Sequence, residues 1–173
     1  MALTLIKEDG TGLVDANAYA NAADGDVYYD GHLYATAWTA ATTGNKEKAL
    51  VMATRLIDSQ FQFGGGKTKE TQALQWPRED CRDPDGPDFL ASDAVPKAVL
   101  DATCEMAREL LIVDRTAAPA GEGVIATWTD TSGTKYTKPE HKRPVISQVA
   151  QTMLAKYGTL LHAKSGSVKL TRV

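Results

Sequence analysis

The heptapeptide Gln72-Ala-Leu-Gln-Trp-Pro-Arg78 constrains this chain more than any other stretch. A proline drives the residue before it out of the helical region and towards extended backbone. Trp76 is therefore expected on non-helical chain with its ring turned inward. On either side lie the two clearest helical patterns of the sequence, Lys46–Phe61 and Pro96–Val113. The simplest expectation is a crossover whose Leu74, Trp76, Pro77 and Arg78 form a structural core motif between two helices. The competing expectation puts Trp76 and Arg78 on the surface, as a platform for stacking bases and binding phosphates.

In the first helical pattern Ala49, Leu50, Ala53, Leu56, Ile57 and Phe61 recur at steps of three and four, while Lys46, Glu47, Lys48, Arg55 and Asp58 point elsewhere. This is the stripe of an amphipathic helix, broken by Gly64-Gly-Gly66. In the second, Val99, Ala102, Met106, Leu110 and Val113 form the stripe with Leu111 alongside. Pro96 suits its first position, and Ser92 or Asp93 could cap it. A third helix is expected to start at Pro144, with Ile146, Val149, Ala150, Met153, Leu154 and Tyr157 inward and Gly158 as its stop. A short helix over Ala22–Asp30 presents Val27 and Tyr28, and its interior Gly25 costs about 1 kcal/mol relative to alanine. Gly31 fits its end. The aromatic, threonine-rich stretch Leu33–Thr43 reads as a loop pinned by Tyr34 and Trp38. Leu3, Leu5 and Ile6 open the chain like a strand, closed by the turn Asp9-Gly-Thr-Gly12. Val124–Thr137 alternates around Asp130-Thr-Ser-Gly133 and reads as a β-hairpin. The expected fold is thus mainly α: a bundle of about four helices, a hairpin insertion near 124–137, and extended N- and C-terminal arms. A helical domain over 1–162 is followed by an arm over 163–173.

With 173 residues and 43% hydrophobic content, the chain is expected to be one domain with a real core. Its net charge of −3 is lopsided. Lys135–Val173 carries eight Lys or Arg against the single acid Glu140, whereas the first 134 residues hold eleven bases and twenty-one acids. A basic end on an acidic body is expected to meet something negative, whether nucleic acid, an acidic protein surface or a neighbouring copy's body. A solvated tail is the plain alternative. The closing Ser165–Val173 alternates like a strand through Val168 and Leu170. A strand lacking a partner in its own domain is a candidate for adding to another chain's sheet. The opening turns polar within seven residues, so no signal peptide is expected. No apolar run approaches the roughly 20 residues of a membrane span.

Patterns for chemistry fail on inspection. Gly64-Gly-Gly-Lys-Thr68 lacks the first glycine of a phosphate loop, since position 61 is Phe; a flexible hinge is expected instead. If Gly86 takes the central position of a calcium loop, Cys81 and Ser92 fall where carboxylates belong, so Asp83-Pro-Asp-Gly86 reads as an acidic surface turn. His32, His141 and His162 are scattered, and Cys81 and Cys104 lack metal spacing, though a disulfide between them stays open. No nucleophile signature occurs. No catalytic residue, metal or cofactor is expected, and the chain is read as a non-enzyme.

The order of the pieces carries a resemblance. Thr4–Gly12, Asn17-Ala-Tyr19 before Ala22-Ala-Asp24, Lys46–Leu50, Ala53-Thr-Arg-Leu-Ile-Asp58, Gln72–Arg78, Val95-Pro96, Cys104-Glu-Met-Ala107 and a closing Val168–Val173 follow one another. The chain resembles the small head–tail adaptor, or connector, proteins of tailed bacteriophages, a group often labelled in genomes as DnaT-like single-stranded-DNA-binding proteins. Residues 3–113 resemble it well and the last third loosely, with Thr116–His141 departing most. The resemblance implies a virion protein made in the host cytoplasm: a dodecameric ring of neighbouring copies bound to the portal protein. Such a ring extends the DNA channel and docks the next tail or nozzle protein. It implies that the C-terminal arm reaches the portal, which puts Lys164, Val168, Lys169, Leu170 and Arg172 at the partner contact. Packaged double-stranded DNA would slide past acidic walls without specific binding. The alternative takes the label at face value: a single-strand binder using Trp76, Arg78 and the basic C-terminal segment.

Overall fold

The computed structural model describes residues 3–117 and 143–161, together with the backbones of the strands Ala126–Thr129 and Ser132–Lys135. Its described elements are five helices and six short strands, a mainly α architecture with a β-hairpin. The central helix is α4 (Lys97–Ile112), which packs on α3 (Thr43–Gln60) and α5 (Gln148–Leu154) and also touches α1 (Ala22–Asp30) and α2 (Thr36–Thr39). Of the predicted stripe Val99, Ala102 and Met106 are buried, but burial is not confined to it: every residue from Ala102 to Ala107 is buried, because neighbours pack around this helix from several sides. Val113, expected at its end, lies past the last turn and is 41% exposed. No side chain caps α4; Pro96 itself occupies the cap position.

In α3, Thr42 caps the first turn by accepting the Asn45 N–H, and Ala49, Leu50, Ala53 and Ile57 face the core. The helix ends at Gln60, four residues before the first of the glycines. Phe61, counted in the helical stripe, instead opens strand β1 (Phe61–Phe63), where both phenylalanines are buried. The stripe breaks there because a strand turns alternate residues, rather than every third or fourth, to one side.

Asn21 and Asp24 form a reciprocal capping box on α1. The face of α1 differs from expectation: Gly25 and Tyr29 are buried, while Val27 is exposed. The cause is Trp38. It sits on the one-turn helix α2, within the stretch expected as a loop, and is fully buried against Gly25. A Cβ at position 25 would stand 2.2 Å from its Cζ2. Tyr34, expected to pin this stretch, is exposed.

The predicted opening strand is an extended segment with a single parallel bridge, Lys7 to Ala18. The turn after it is held from inside. Buried Glu8 accepts the N–H groups of Gly10, Gly12 and Leu13 at 3.0, 2.9 and 3.0 Å. In the hairpin, β4 (Ala126–Thr129) pairs antiparallel with β5 (Ser132–Lys135), which begins two residues earlier than the sequence suggests. Another pair joins β2 (Gly66–Lys67) to β3 (Arg78–Glu79). Neither this pair nor the third was foreseen. Gly158, expected to stop the last helix, starts β6 (Gly158–Leu160), antiparallel to β1 in the register Phe61↔Leu160 and Phe63↔Gly158. That helix, α5, is shorter than its pattern: Ser147 caps it, and Val149 is half exposed. Arg115 ties the segment before it to the end of α4, donating to the Val145 and Pro144 carbonyls, both at 2.7 Å, and pairing with Glu109.

Candidate functional site

The heptapeptide crosses between α3 and α4 with most of its side chains inside; Ala73 is exposed and Gln75 half-buried. Leu74, Trp76, Pro77 and Arg78 are all buried, Trp76 completely. The Trp76 ring meets Phe63 and Tyr157 edge-on at centroid distances of 5.6 and 6.2 Å, separations typical of favourable aromatic pairs. The Trp76–Pro77 peptide is cis.

Polar groups lock this crossover from three sides. The Gln72 side-chain amide donates to the Leu74 and Pro77 carbonyls at 2.9 and 3.0 Å, and its oxygen accepts the Lys69 N–H at 2.9 Å. From α3, Asp58 accepts the Gln75 N–H at 3.0 Å and the Tyr19 hydroxyl at 2.5 Å. That hydroxyl in turn accepts the Gln75 and Trp76 N–H groups. Thr54, one turn earlier on the same face, accepts the Tyr19 N–H at 3.2 Å. Residues 54 and 58 are four apart and so share a helix face; this spacing lets one tyrosine be held at both ends.

Arg78 closes the third side. Its Nε donates to the Gly64 carbonyl at 2.6 Å, Nη2 to Gly65 at 2.7 Å, and Nη1 to the Gln75 carbonyl at 3.0 Å. A planar guanidinium offers five donors in a fixed fork, so it can gather carbonyls that a lysine could not. The glycine loop is thereby a fastened turn, not the expected hinge. Gly65 has φ +67°, and a Cβ there would lie 2.1 Å from the Glu79 oxygen, which explains glycine at that position.

Burial sets the electrostatics. Desolvation raises the Asp58 carboxyl to about 6, against the hydrogen bonds from Tyr19 and Gln75, which favour its charged form. Burial, with Asp58 beside it, pushes the Tyr19 phenol well up. Arg78 is shifted down by desolvation but stays charged. Among the described residues no three His, Cys, Asp or Glu side chains converge on a point that could hold a metal ion. Cys81 and Cys104 are both free and buried.

Of the residues singled out from sequence, Leu74, Trp76, Pro77 and Arg78 come together in this clasp. Lys164, Val168, Lys169, Leu170 and Arg172 lie outside the described residues. Sequence reasoning missed Tyr19, Asp58 and the Gln72 side chain as members. Their partners are far along the chain; the only available signal was the pairing of Ala53-Thr-Arg-Leu-Ile-Asp58 with Gln72–Arg78. The surface platform of Trp76 and Arg78 is overturned, because both side chains are consumed by the core. Trp38 is equally buried, its Nε1 donating to Asp26 at 2.8 Å.

The fold and clasp define a small, mainly α domain organised around a buried Trp-Pro-Arg crossover. A family model described as "Putative DnaT-like ssDNA binding protein" matches residues 3–173, and the chain belongs to that family. No curated protein and no solved structure matches it.

Proposed function

We propose that this protein acts as a structural adaptor: a ring component of a tailed-phage head–tail junction that binds the portal and docks the next tail protein. The observation that carries the reading is the fate of the residues in two segments that carry the resemblance, Ala53–Asp58 and Gln72–Arg78. Thr54, Asp58, Gln72, Trp76 and Arg78 are used up in fastening one crossover, so the motif specifies a rigid body instead of a reactive or ligand-binding surface. A single-strand binder needs exposed aromatic rings along a positive groove. Trp38 and Trp76 are inside, and the first 134 residues are strongly acidic. An acidic body suits a channel wall past which DNA slides, and the basic C-terminal segment with Lys164, Lys169 and Arg172 suits a grip on a negative partner.

The family description favours a second reading, binding of single-stranded DNA, and the same basic segment is what would serve it. One pair of measurements separates the two. The purified chain mixed with its portal protein is expected to give ring-shaped particles in negative stain. Titration with a single-stranded oligonucleotide at low salt is expected to leave the chain free. Tight, salt-sensitive oligonucleotide binding with no portal association would replace the adaptor reading by the DNA-binding one.

A further inference from the structure

Strand β6 has an edge that none of the described residues occupies. Tyr157 and Leu161 bond towards the β1 side, Gly64 N–H to Tyr157 O at 3.0 Å and Leu161 N–H to Gln60 O at 2.8 Å. Because bonding alternates along an antiparallel pair, Gly158 and Leu160 turn their N–H and C=O groups to the opposite edge. Nothing among the described residues pairs there. Beside that edge runs a groove of about 360 Å³ between β6 and α5, lined by Phe61, Leu160, Ala155, Gln148, Gln151 and Thr152. Val149, on α5, is 49% exposed. An open edge beside a part-apolar groove is the geometry of strand addition: the backbone supplies affinity and alternate side chains enter the groove.

We propose that this groove takes the C-terminal segment Val168–Arg172 of a second copy as an antiparallel strand. With Val168 opposite Leu160 and Leu170 opposite Gly158, both apolar side chains enter the groove and Lys169 faces solvent. Arg172 then extends past Gly158 towards the acidic turn, where Asp85 already holds Lys156, two residues before β6, at 2.7 Å. That turn thereby gains a cationic partner.

The chain's own tail fits less well, for a reason of parity. A tight hairpin closes on a hydrogen-bonded pair, and on this edge such pairs fall on even-numbered residues of β6. A turn at Ser165-Gly166 would set Lys164 opposite Ser167 and Leu160 opposite Thr171, which would put Lys169 and Thr171 in the groove and Val168 and Leu170 outside. A one-residue slip would correct the faces, but a three-residue loop needs a left-handed third position. Closing on an even residue places Ser165 or Ser167 there instead of Gly166. A tail from another copy carries no such constraint. Tail-to-edge contact is heterologous, so it closes into a ring when the rotation allows. The choice of a second copy rests in this respect on the adaptor reading.

The test mixes full-length chains carrying Thr159→Cys with chains carrying Lys169→Cys. These positions oppose each other as a non-hydrogen-bonded pair, whose Cα separation of about 4.5 Å admits a disulfide. Thr159 is exposed, and the native thiols are buried. At high protein concentration under mild oxidation, a mixed disulfide is expected, with its loss when Leu170→Asp is added to the second chain. A Thr159→Cys/Lys169→Cys double variant that closes within single chains would overturn the proposal in favour of the chain's own tail. So would a mixed disulfide forming no faster than one between Thr159→Cys and the distant, exposed Lys48→Cys. Rings on the portal without the disulfide would sink this inference and leave the adaptor reading standing; the disulfide without portal binding would do the reverse.

Discussion

Replacing Arg78 by alanine tests whether the clasp is what holds the crossover. Three short bonds from the guanidinium to the carbonyls of Gly64, Gly65 and Gln75 disappear. Each hydrogen bond to a charged group contributes roughly 1.5–3 kcal/mol, and a buried acceptor left bare costs roughly 1–3 kcal/mol. The three share one side chain and water can enter the space it leaves, so they do not add fully; the expected loss is about 3–4 kcal/mol. For a chain of this size that lowers the melting temperature by roughly 6–16 °C. Urea titration followed by far-UV circular dichroism should show the lower midpoint with an unchanged slope. Amide exchange should quicken at Gly64–Gly66 before it does in α4, because the loop loses its fastening while the helix core keeps its packing. Arg78→Lys, which keeps the charge but not the fork, should fall between the two proteins. A loss below about 1 kcal/mol for the alanine variant, or unaltered exchange in the glycine loop, would refute the reasoning.

Gly25→Ala should destabilise the protein by about 1–3 kcal/mol through overpacking against Trp38, reversing the gain that helix propensity alone predicts; a raised midpoint in thermal unfolding would contradict the packing. Glu8→Ala should cost about 2–4 kcal/mol, since three N–H groups lose their acceptor, whereas Glu8→Gln, which keeps one acceptor, should lose less in the same titration. Asp58 carries a pH signature. Its folded carboxyl, at about 6 against an ordinary 3.8, binds its proton more tightly than the unfolded chain does. Its contribution to stability is therefore fully present below the unfolded value and is lost as pH rises through the folded one. Urea midpoints measured across that window should fall for the native protein and stay flatter for Asp58→Asn; parallel profiles would rule the carboxyl out as the cause.

Whatever is governed by neighbours along the chain could be read directly from the residues. The stripes of α3 and α4 follow from three- and four-residue spacing. Gly31 marked the end of α1, and the hairpin near 124–137 followed from alternation around a turn. Trp76 was placed inside by the proline after it. Distance along the chain hid the rest. Gly158 carries the local signature of a helix stop, and only its pairing with Phe63 makes it the start of β6. Gly25 is a weak helix residue until Trp38, thirteen positions on, is laid over it. Nothing near Arg78 announces that its acceptors are glycine carbonyls more than ten residues back, nor that Tyr19 spans from α3 to the crossover. Periodicity, caps and turns are settled within a few bonds of each residue, so composition and spacing disclose them. Strand partners, buried hydrogen bonds and the space beside a ring depend on which distant segments the collapsed core brings together.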